Sequence, residues 1–184
     1  MPYPVAPDVP ANNAAPVDGQ KATYSASITG LVTAASATDI FTLTGSATKT
    51  VRITRVEVNG QATTAVPVQV VLLKRSAANL TGTSTAPTAV PHDSTSAAAT
   101  ATVKAYTANP GTLGTLVGNL KAEYVYLSAP GTATTGPEKL FLNFGDRPEQ
   151  EYVIRGIAEV VAVNLNGVTT TGAAFDINIT WTEE

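Results

Sequence analysis

The chain of 184 residues is long enough for one domain with a sizeable core, and it contains no cysteine and a single histidine. Disulfides, thiolate catalysis, zinc–cysteine sites, iron–sulfur clusters and multi-histidine metal sites are therefore excluded within one chain. The 11 basic and 14 acidic residues leave a formal net charge of −3, which argues against a nucleic-acid-binding surface.

Threonine and alanine dominate the composition with 29 residues each, whereas charged residues make up only 14%. Threonine is β-branched and fits the pleated surface of a strand better than a helix. No window carries a sustained apolar stripe of helical period with capping signals. The composition and the patterns therefore predict an all-β protein.

The first 20 residues predict an extended N-terminal arm, because five prolines occur among them. Proline at this density removes backbone hydrogen-bond donors and favours a polyproline-like chain. We expect Pro4, Pro7, Pro10 and Pro16 to contact a partner subunit, the alternative being a tail without a role. The arm shows no signal-peptide pattern, and no run of about 18 apolar residues predicts a membrane span.

From Lys21 onward, short stretches of alternating apolar and polar residues predict about nine strands. In chain order these are residues 23–31, 40–44, 49–58, 66–73, 100–106, 122–127, 139–144, 152–154 with 159–165 on either side of Gly156, and 175–181. No crossover helix separates them, which predicts an antiparallel β-sandwich with a jelly-roll-like topology. Residues 21–184 are expected to form this single domain, with a long loop over residues 75–96.

Local signals add detail to this expectation. The apolar phase slips by one residue near Thr54–Arg55, which indicates a bulge, and Gly156 indicates a second one. Asn59-Gly60 and Asn166-Gly167 are dipeptides typical of tight turns. The stretch 175–181 alternates most regularly and predicts a strand with one buried face.

The sequence carries no specific catalytic constellation, cofactor motif or metal site. His92 and Asp93 are neighbours, but adjacent side chains point apart and no nucleophile elbow accompanies them. Asp146, Glu149 and Glu151 cluster within six residues. A charged hairpin loop, a calcium site or a salt bridge to a neighbouring subunit accounts for this cluster.

Basic residues supply one candidate binding surface. Arg52, Arg55 and Arg75, together with Lys74, are the densest basic residues of the chain. They are expected either to face carboxylates of a partner subunit or, as outward strand charges, to discourage edge-to-edge aggregation.

Aromatic residues supply a second candidate surface. Tyr124 and Tyr126 share one side of a strand by period two, and with Trp181 they are candidates for a sugar-stacking face. The alternative for all three is packing in the core or at an interface.

Three further segments are distinctive: Ala37–Gly45, Val70–Ser76 and Pro87–Ser94. Together with the closing stretch 163–184, they resemble a family of small structural proteins of tailed bacteriophages and prophages. The likeness covers most of the chain from about residue 37 onward. Its motifs are structural, so the resemblance supplies no active-site residues.

The resemblance implies a non-enzymatic virion protein, similar to capsid decoration or cement proteins. Such a protein would assemble in the host cytoplasm, lie on the capsid exterior and stabilise the shell of major capsid protein. It would act as a homo-oligomer, with a trimer expected and no cofactor. The alternative is a tail- or fibre-associated host-recognition module that binds glycans. An enzyme, for instance one that degrades glycans, has the least support.

Overall fold

The computed structural model describes residues 21–131, 139–144, 151–170 and 172–184. Over these residues the chain forms twelve strands in two antiparallel sheets, and none of it forms a helix that could cross a membrane. The predicted all-β antiparallel architecture is confirmed. The predicted arm, with Pro4, Pro7, Pro10 and Pro16, lies outside the described residues.

Two of the strands lie in the expected long loop, and the two runs predicted on either side of Gly156 form separate strands in different sheets. In chain order the strands are β1 (Ala22–Val32), β2 (Asp39–Thr44), β3 (Thr50–Ala62), β4 (Val66–Arg75), β5 (Ser84–Thr85), β6 (Val90–Pro91), β7 (Thr102–Tyr106), β8 (Leu116–Leu127), β9 (Leu140–Asn143), β10 (Tyr152–Arg155), β11 (Val160–Asn164) and β12 (Ala173–Glu183).

The two sheets have six strands each. Sheet I runs β10-β3-β12-β1-β6, and β9 pairs with the same edge of β3 as β10 does. Sheet II runs β5-β7-β2-β11-β4-β8. The last two strands, β11 and β12, each lie between two strands from the first half of the chain. Neither sheet is complete until the C-terminal part of the chain is in place, which makes most pairings long-range.

The sheets enclose one hydrophobic core, built from the inward residues of both. As the sequence predicted, β12 buries Phe175, Ile177, Ile179 and Trp181 along one face. Trp181 is fully buried and stacks on Tyr24 of β1, with the ring centroids 5.8 Å apart. Trp181 is therefore a core residue, and its interpretation as part of a sugar-stacking face is wrong.

The bulge predicted near Thr54 is confirmed. Arg55 pairs with Thr180 and Ile53 pairs with Trp181, which leaves Thr54 as the extra residue of β3. The extra residue lets the apolar phase slip by one position while the apolar side chains on both sides of it stay in the core.

The turn predicted at Asn166-Gly167 is also confirmed. Both residues have positive φ, 54° and 72°, and the Val168 amide donates to the Leu165 carbonyl at 3.0 Å. Positive φ at both central residues is what makes Asn-Gly the favoured pair in such a turn.

Two other glycine signals were interpreted wrongly. Asn59-Gly60 does not form a turn but lies inside β3, where a side chain at Gly60 would clash with the carbonyl of Ala174. Gly156 does not form a bulge but lies in the turn, with a φ of +66°, by which the chain passes from β10 in sheet I to β11 in sheet II.

Glu183, near the end of β12, is a buried carboxylate that holds the segment preceding β7. Its oxygens accept hydrogen bonds of 2.6–3.1 Å from the amide and hydroxyl of Thr100, the amide of Ala101 and the indole of Trp181. Burial alone would raise the pKa of Glu183, but these hydrogen bonds outweigh it and hold the pKa below its usual value. The ionised carboxylate therefore stabilises the folded state.

Replacing this carboxylate by an amide, Glu183→Gln, is expected to lower the free energy of unfolding by roughly 2–4 kcal/mol. The reason is that the new amide nitrogen would face buried N–H donors. Urea denaturation at neutral pH measures the loss. The matched control is Asp176→Asn in the same strand, an exposed carboxylate whose amide replacement can still accept the hydrogen bond of the Gly30 amide, and its change is expected to stay below about 1 kcal/mol. Equal losses in the two variants would contradict the role given to Glu183.

The stability of the same variant should depend on pH. Because the folded-state pKa of Glu183 is depressed, its stabilising effect is complete above the unfolded-state pKa and is lost as the pH falls through the folded-state pKa. The difference in the free energy of unfolding between the unaltered chain and Glu183→Gln should therefore become smaller as the pH drops from about 6 towards about 3. A difference in the free energy of unfolding that stays constant over this pH range would show that the charge of Glu183 does not contribute to stability.

Candidate functional site

A buried ion pair lies on the outer face of sheet II. Leu72 of β4 points into the core, so Arg75, three residues later, points to the opposite face. Its guanidinium binds both carboxylate oxygens of Asp39, with Nε–Oδ2 at 2.7 Å and Nη2–Oδ1 at 2.9 Å. Both residues are almost fully buried. A charge pair removed from water this completely requires partners for its remaining hydrogen-bonding positions as well.

The chain supplies those partners. The side-chain amides of Asn79 and Asn164 donate to the two oxygens of Asp39, at 2.7 Å and 2.6 Å. The Arg75 Nη1 group donates to the carbonyl of Gly114 at 2.7 Å, and the Gly114 amide donates to the Asn79 side chain at 2.8 Å. The ion pair is thus enclosed in a hydrogen-bond network formed by its own chain.

Asp39 reaches the outer face through an irregularity in β2. The strand pairs regularly with β11 as far as Phe41, which points into the core, but Asp39 then lies opposite Asn164 and leaves Ile40 as an extra residue. The extra residue turns Asp39 to the side on which Asn164 lies. Without it, simple alternation from Phe41 would direct the carboxylate into the core.

The loop between β7 and β8 covers the ion pair and is held at both ends. At its start, Asn109 accepts a hydrogen bond from the Thr38 amide at 3.0 Å and donates one to the Ser36 carbonyl at 2.9 Å. Near its end, Gly114 approaches the chain so closely that a side chain there would clash with the carbonyl of Ala77. The loop is therefore part of the packed structure around Arg75.

Tyr106, at the end of β7, adds a phenol to the same network. Burial raises the pKa of Tyr106 and the nearby carboxylate of Asp39 adds to the rise, against hydrogen bonds with Thr42 and Asn79 that lower it. Tyr106 therefore stays protonated at neutral pH and acts as a hydrogen-bonding group of the network.

A concave surface, which we call the outer trough, lies beside the ion pair and has a volume of about 530 Å³. This size lies within the range of small-molecule sites. Apolar and neutral polar side chains line it around Arg75, the one ionisable residue of the lining. The lining residues are Thr38, Gln69, Val71, Leu73, Arg75, Leu113, Leu116, Asn119, Ala122, Asn164, Asn166 and Gly167. Because the charge of Arg75 is already bound by Asp39, the outer trough suits a neutral polar ligand or chain segment.

Strand β8 borders the outer trough and forms one edge of sheet II. It pairs with β4 on one side, and no strand among the described residues pairs with its other side. Of its twelve residues, Val125 and Leu127 alone are buried, whereas Leu116 and Val117 are exposed. Exposed apolar groups on a long edge strand mark an interaction surface.

The predicted aromatic pair lies on this strand. Tyr124 and Tyr126 pair with Gln69 and Pro67 of β4 and are 68% and 38% exposed, while Val125 between them is buried. Their predicted position on one side of a strand is confirmed. Because Gln69 lines the outer trough, Tyr124 stands next to one end of it.

Two of the arginines predicted to face a partner take part in ion pairs near the surface. Arg52 lies 3.0 Å from Glu184 and 3.8 Å from Glu151. Arg55 lies 3.6 Å from Glu57 and is 47% exposed. Their contacts with a partner stay predictions.

The other two basic residues are more strongly held within the chain. Arg75 is buried against Asp39, so the expectation that its charge faces outward is wrong; the physical reason is the network that covers it. Lys74 lies 3.2 Å from Glu159 and donates to the Val153 carbonyl at 3.0 Å.

His92 and Asp93 have separate partners. His92 Nε2 lies within hydrogen-bond distance of Ser25 Oγ, at 2.7 Å. Asp93 accepts hydrogen bonds from the amide and hydroxyl of Thr95, which hold the pKa of Asp93 below its usual value. The carboxylate binds Thr95 and does not orient the imidazole, so these residues do not form a Ser–His–Asp triad.

The predicted acidic cluster is described only in part. Asp146 and Glu149 lie outside the described residues, and Glu151 lies beside Arg52. Within the described parts of the chain, no group of three or more histidine or carboxylate side chains is placed to hold a metal ion.

The outer trough and the network around Asp39 were not predicted from the sequence. One signal was available: Asp39 and Asn164 are polar residues directly attached to apolar strands. Such residues are often buried in pairs, but the sequence does not show which residue completes the pair.

No protein-family model, curated protein or solved structure matches this chain. Function is therefore inferred from the outer trough, the edge strand β8 and the resemblance of the sequence segments.

Asp39 and Arg75 are expected to be coupled in their effects on stability. Arg75→Met leaves an uncompensated buried carboxylate and should lower the free energy of unfolding by roughly 3–5 kcal/mol. The double variant Asp39→Asn/Arg75→Met should lose less than the sum of the two single losses. Urea denaturation of the four proteins measures the coupling, with Arg55→Met as the exposed control. Strictly additive losses would contradict the pairing.

Proposed function

We propose that this chain is a non-enzymatic structural protein of a virion, a capsid decoration or cement protein that binds and stabilises the shell of major capsid protein. The observation that carries the proposal is the group of exposed apolar side chains at the start of β8 and in the loop before it, Leu113, Leu116 and Val117, with Tyr124 exposed further along the same strand. Large apolar side chains exposed close together on an edge strand mark a surface for a partner. The resemblance to phage structural proteins indicates the kind of assembly.

A jelly-roll topology is part of this proposal, and the strand pairing supports it. A jelly roll is an antiparallel ribbon of eight strands rolled into two sheets. Here β1 pairs with β12, β2 with β11, β3 with β10 and β4 with β8. Each early strand thus pairs with a late one, and the pairs move from the two ends of the chain towards its middle, as in a rolled ribbon. Jelly rolls occur in viral capsid and in lectin domains, which makes the fold compatible with shell binding and with glycan binding.

The proposed partners are further copies of the chain and the major capsid protein. We assign the arm, residues 1–20, to contact with the capsid protein, and we expect a trimer on the capsid exterior. Among Arg52, Arg55 and Arg75, Arg55 has the most accessible charge, which supports Arg55 as the residue that meets a partner carboxylate.

The location of the protein in particles tests this proposal. Cryo-electron microscopy of particles carrying the full chain should show regular copies over the capsid lattice. A chain lacking residues 2–20 should show clearly lower occupancy, because the arm contacts would be lost. A variant with Pro4, Pro7, Pro10 and Pro16 replaced by alanine keeps the length of the arm and should also show lower occupancy, because the predicted contact residues would be lost. Density confined to the tail would contradict the decoration role.

A host-recognition module that binds glycans is the second candidate. The observation that favours it is the position of Tyr124, 68% exposed at the end of a trough lined with neutral amides. An exposed aromatic ring offers an apolar face for a sugar, and side-chain amides offer hydrogen bonds without a net charge. The trough and the ring together suit an uncharged carbohydrate.

Glycan binding should depend on the tyrosine ring. Tyr124→Ala is expected to weaken binding to cell-surface glycans by roughly tenfold or more, because the stacking surface at the end of the trough would be lost. A glycan array with the unaltered chain identifies the ligand, and titration then compares the variants. Val117→Ala, on the same strand and similarly exposed, is the control. Equal losses in both variants, or no binding by the unaltered chain, would contradict this function.

A further inference from the structure

The free edges of the two sheets differ in length. Among the described residues, three edges carry short strands: β5 and β6 have two residues each, and β9 and β10, which share an edge, have four each. Because β6 pairs only with Tyr24 and Ser25, residues 26–32 of β1 also lack a strand partner on that side. The fourth edge is β8, with twelve residues. Proteins keep unpaired edges short or blocked because a long free edge pairs with other chains. With twelve residues, β8 is longer than the unpaired stretch of β1 and is the first candidate for pairing with another chain.

Two opposite charges flank one residue in the middle of β8. Lys121 and Glu123 flank Ala122, and their side chains are 45% and 44% exposed, with Nζ and Oε1 2.7 Å apart. From Lys121 to Leu127 the strand pairs with β4 without irregularity. These three residues therefore lie at the start of a regular stretch of the exposed edge.

We propose that β8 pairs antiparallel with β8 of a second copy of this chain, across a two-fold axis at Ala122. In this register Lys121 lies opposite the partner's Glu123, and Glu123 lies opposite the partner's Lys121. Two ion pairs then flank the axis, and directly opposed charges of unlike sign stabilise a strand pair. Leu120, the next residue, is an extra residue of β8 that packs against the core, so the proposed pairing is centred on residues 121–123.

The charges select this register and this partner. A two-fold axis between antiparallel strands passes through a residue pair, so the nearest alternatives place it at Lys121 or at Glu123. Those registers put two lysines or two glutamates directly opposite each other, which destabilises the pair. The sequence around Ala122 is complementary to itself, and this favours a second copy over a strand of an unrelated protein.

This inference deepens the proposed function and rests only on its homo-oligomeric part. A two-fold contact uses the same surface on both copies and joins them in pairs. A trimer would need a different surface, and β8 contacts would then link neighbouring trimers.

Charge reversal tests the pairing in solution with the full chain. Sedimentation velocity of the unaltered chain should show a dimer or a larger even assembly. Lys121→Glu and Glu123→Lys should each weaken self-association by roughly tenfold or more, because like charges then face each other across the axis. An equimolar mixture of the two variants should re-form the complex, and the double exchange should self-associate as the unaltered chain does. Lys139→Glu, which reverses an exposed lysine outside β8, is the control and should have no effect.

The mixing experiment is decisive, because a general loss of stability in either variant would not be rescued by mixing. Circular dichroism of each variant confirms that it is folded. The inference is overturned if the unaltered chain is a monomer up to about 100 µM, if its assembly is indifferent to both reversals, or if the mixture does not associate. An unaltered chain that is monomeric yet binds capsid shells would overturn the β8 pairing and leave the decoration role standing.

Discussion

The buried ion pair between Asp39 and Arg75 is the constraint on which the outer face of sheet II depends. Two charges out of water are tolerated only when every remaining hydrogen-bonding position is filled, so the chain must bring Asn79, Asn164 and Gly114 to the pair. Bringing Gly114 there requires the loop between β7 and β8 to fold over the sheet. Leu113 of this loop lines the outer trough. The electrostatic requirement of the ion pair therefore contributes to the shape of the trough.

Buried carboxylates also hold the irregular part of the chain. Between β4 and β7, residues 76–101 contain only the two-residue strands β5 and β6. Asp39 holds the beginning of this segment through Asn79, and Glu183 holds its end through Thr100 and Ala101. Because the sequence has no cysteine, no disulfide can perform this task. Charge-assisted hydrogen bonds, which are stronger than those between neutral groups, perform it instead.

Features determined by neighbouring residues were predictable from the sequence, and features determined by distant partners were not. The alternation over residues 175–181 and the phase slip in β3 are local patterns, and both were interpreted correctly. Gly60 was not distinguishable from a turn glycine, since the carbonyl that excludes a side chain there belongs to Ala174 of the last strand. The burial of Arg75 depends on Asp39, which lies 36 residues earlier and reaches the outer face only through a bulge. No pattern within either strand contains that information.

The two uses proposed for β8, self-pairing and glycan binding, involve different groups of the strand and are therefore compatible. Pairing with a second copy uses backbone groups at the edge, in the plane of the sheet, whereas Tyr124 projects from the outer face. In the two-fold register, both copies of sheet II would form one continuous sheet, with two outer troughs and two Tyr124 rings on the same surface. Linked weak sites bind an extended target far more tightly than either site alone. The chain has only 14% charged residues, so a single site offers few charged contacts. Self-pairing through β8 would still allow tight binding to a repeating shell or glycan, because two low-affinity sites would bind together.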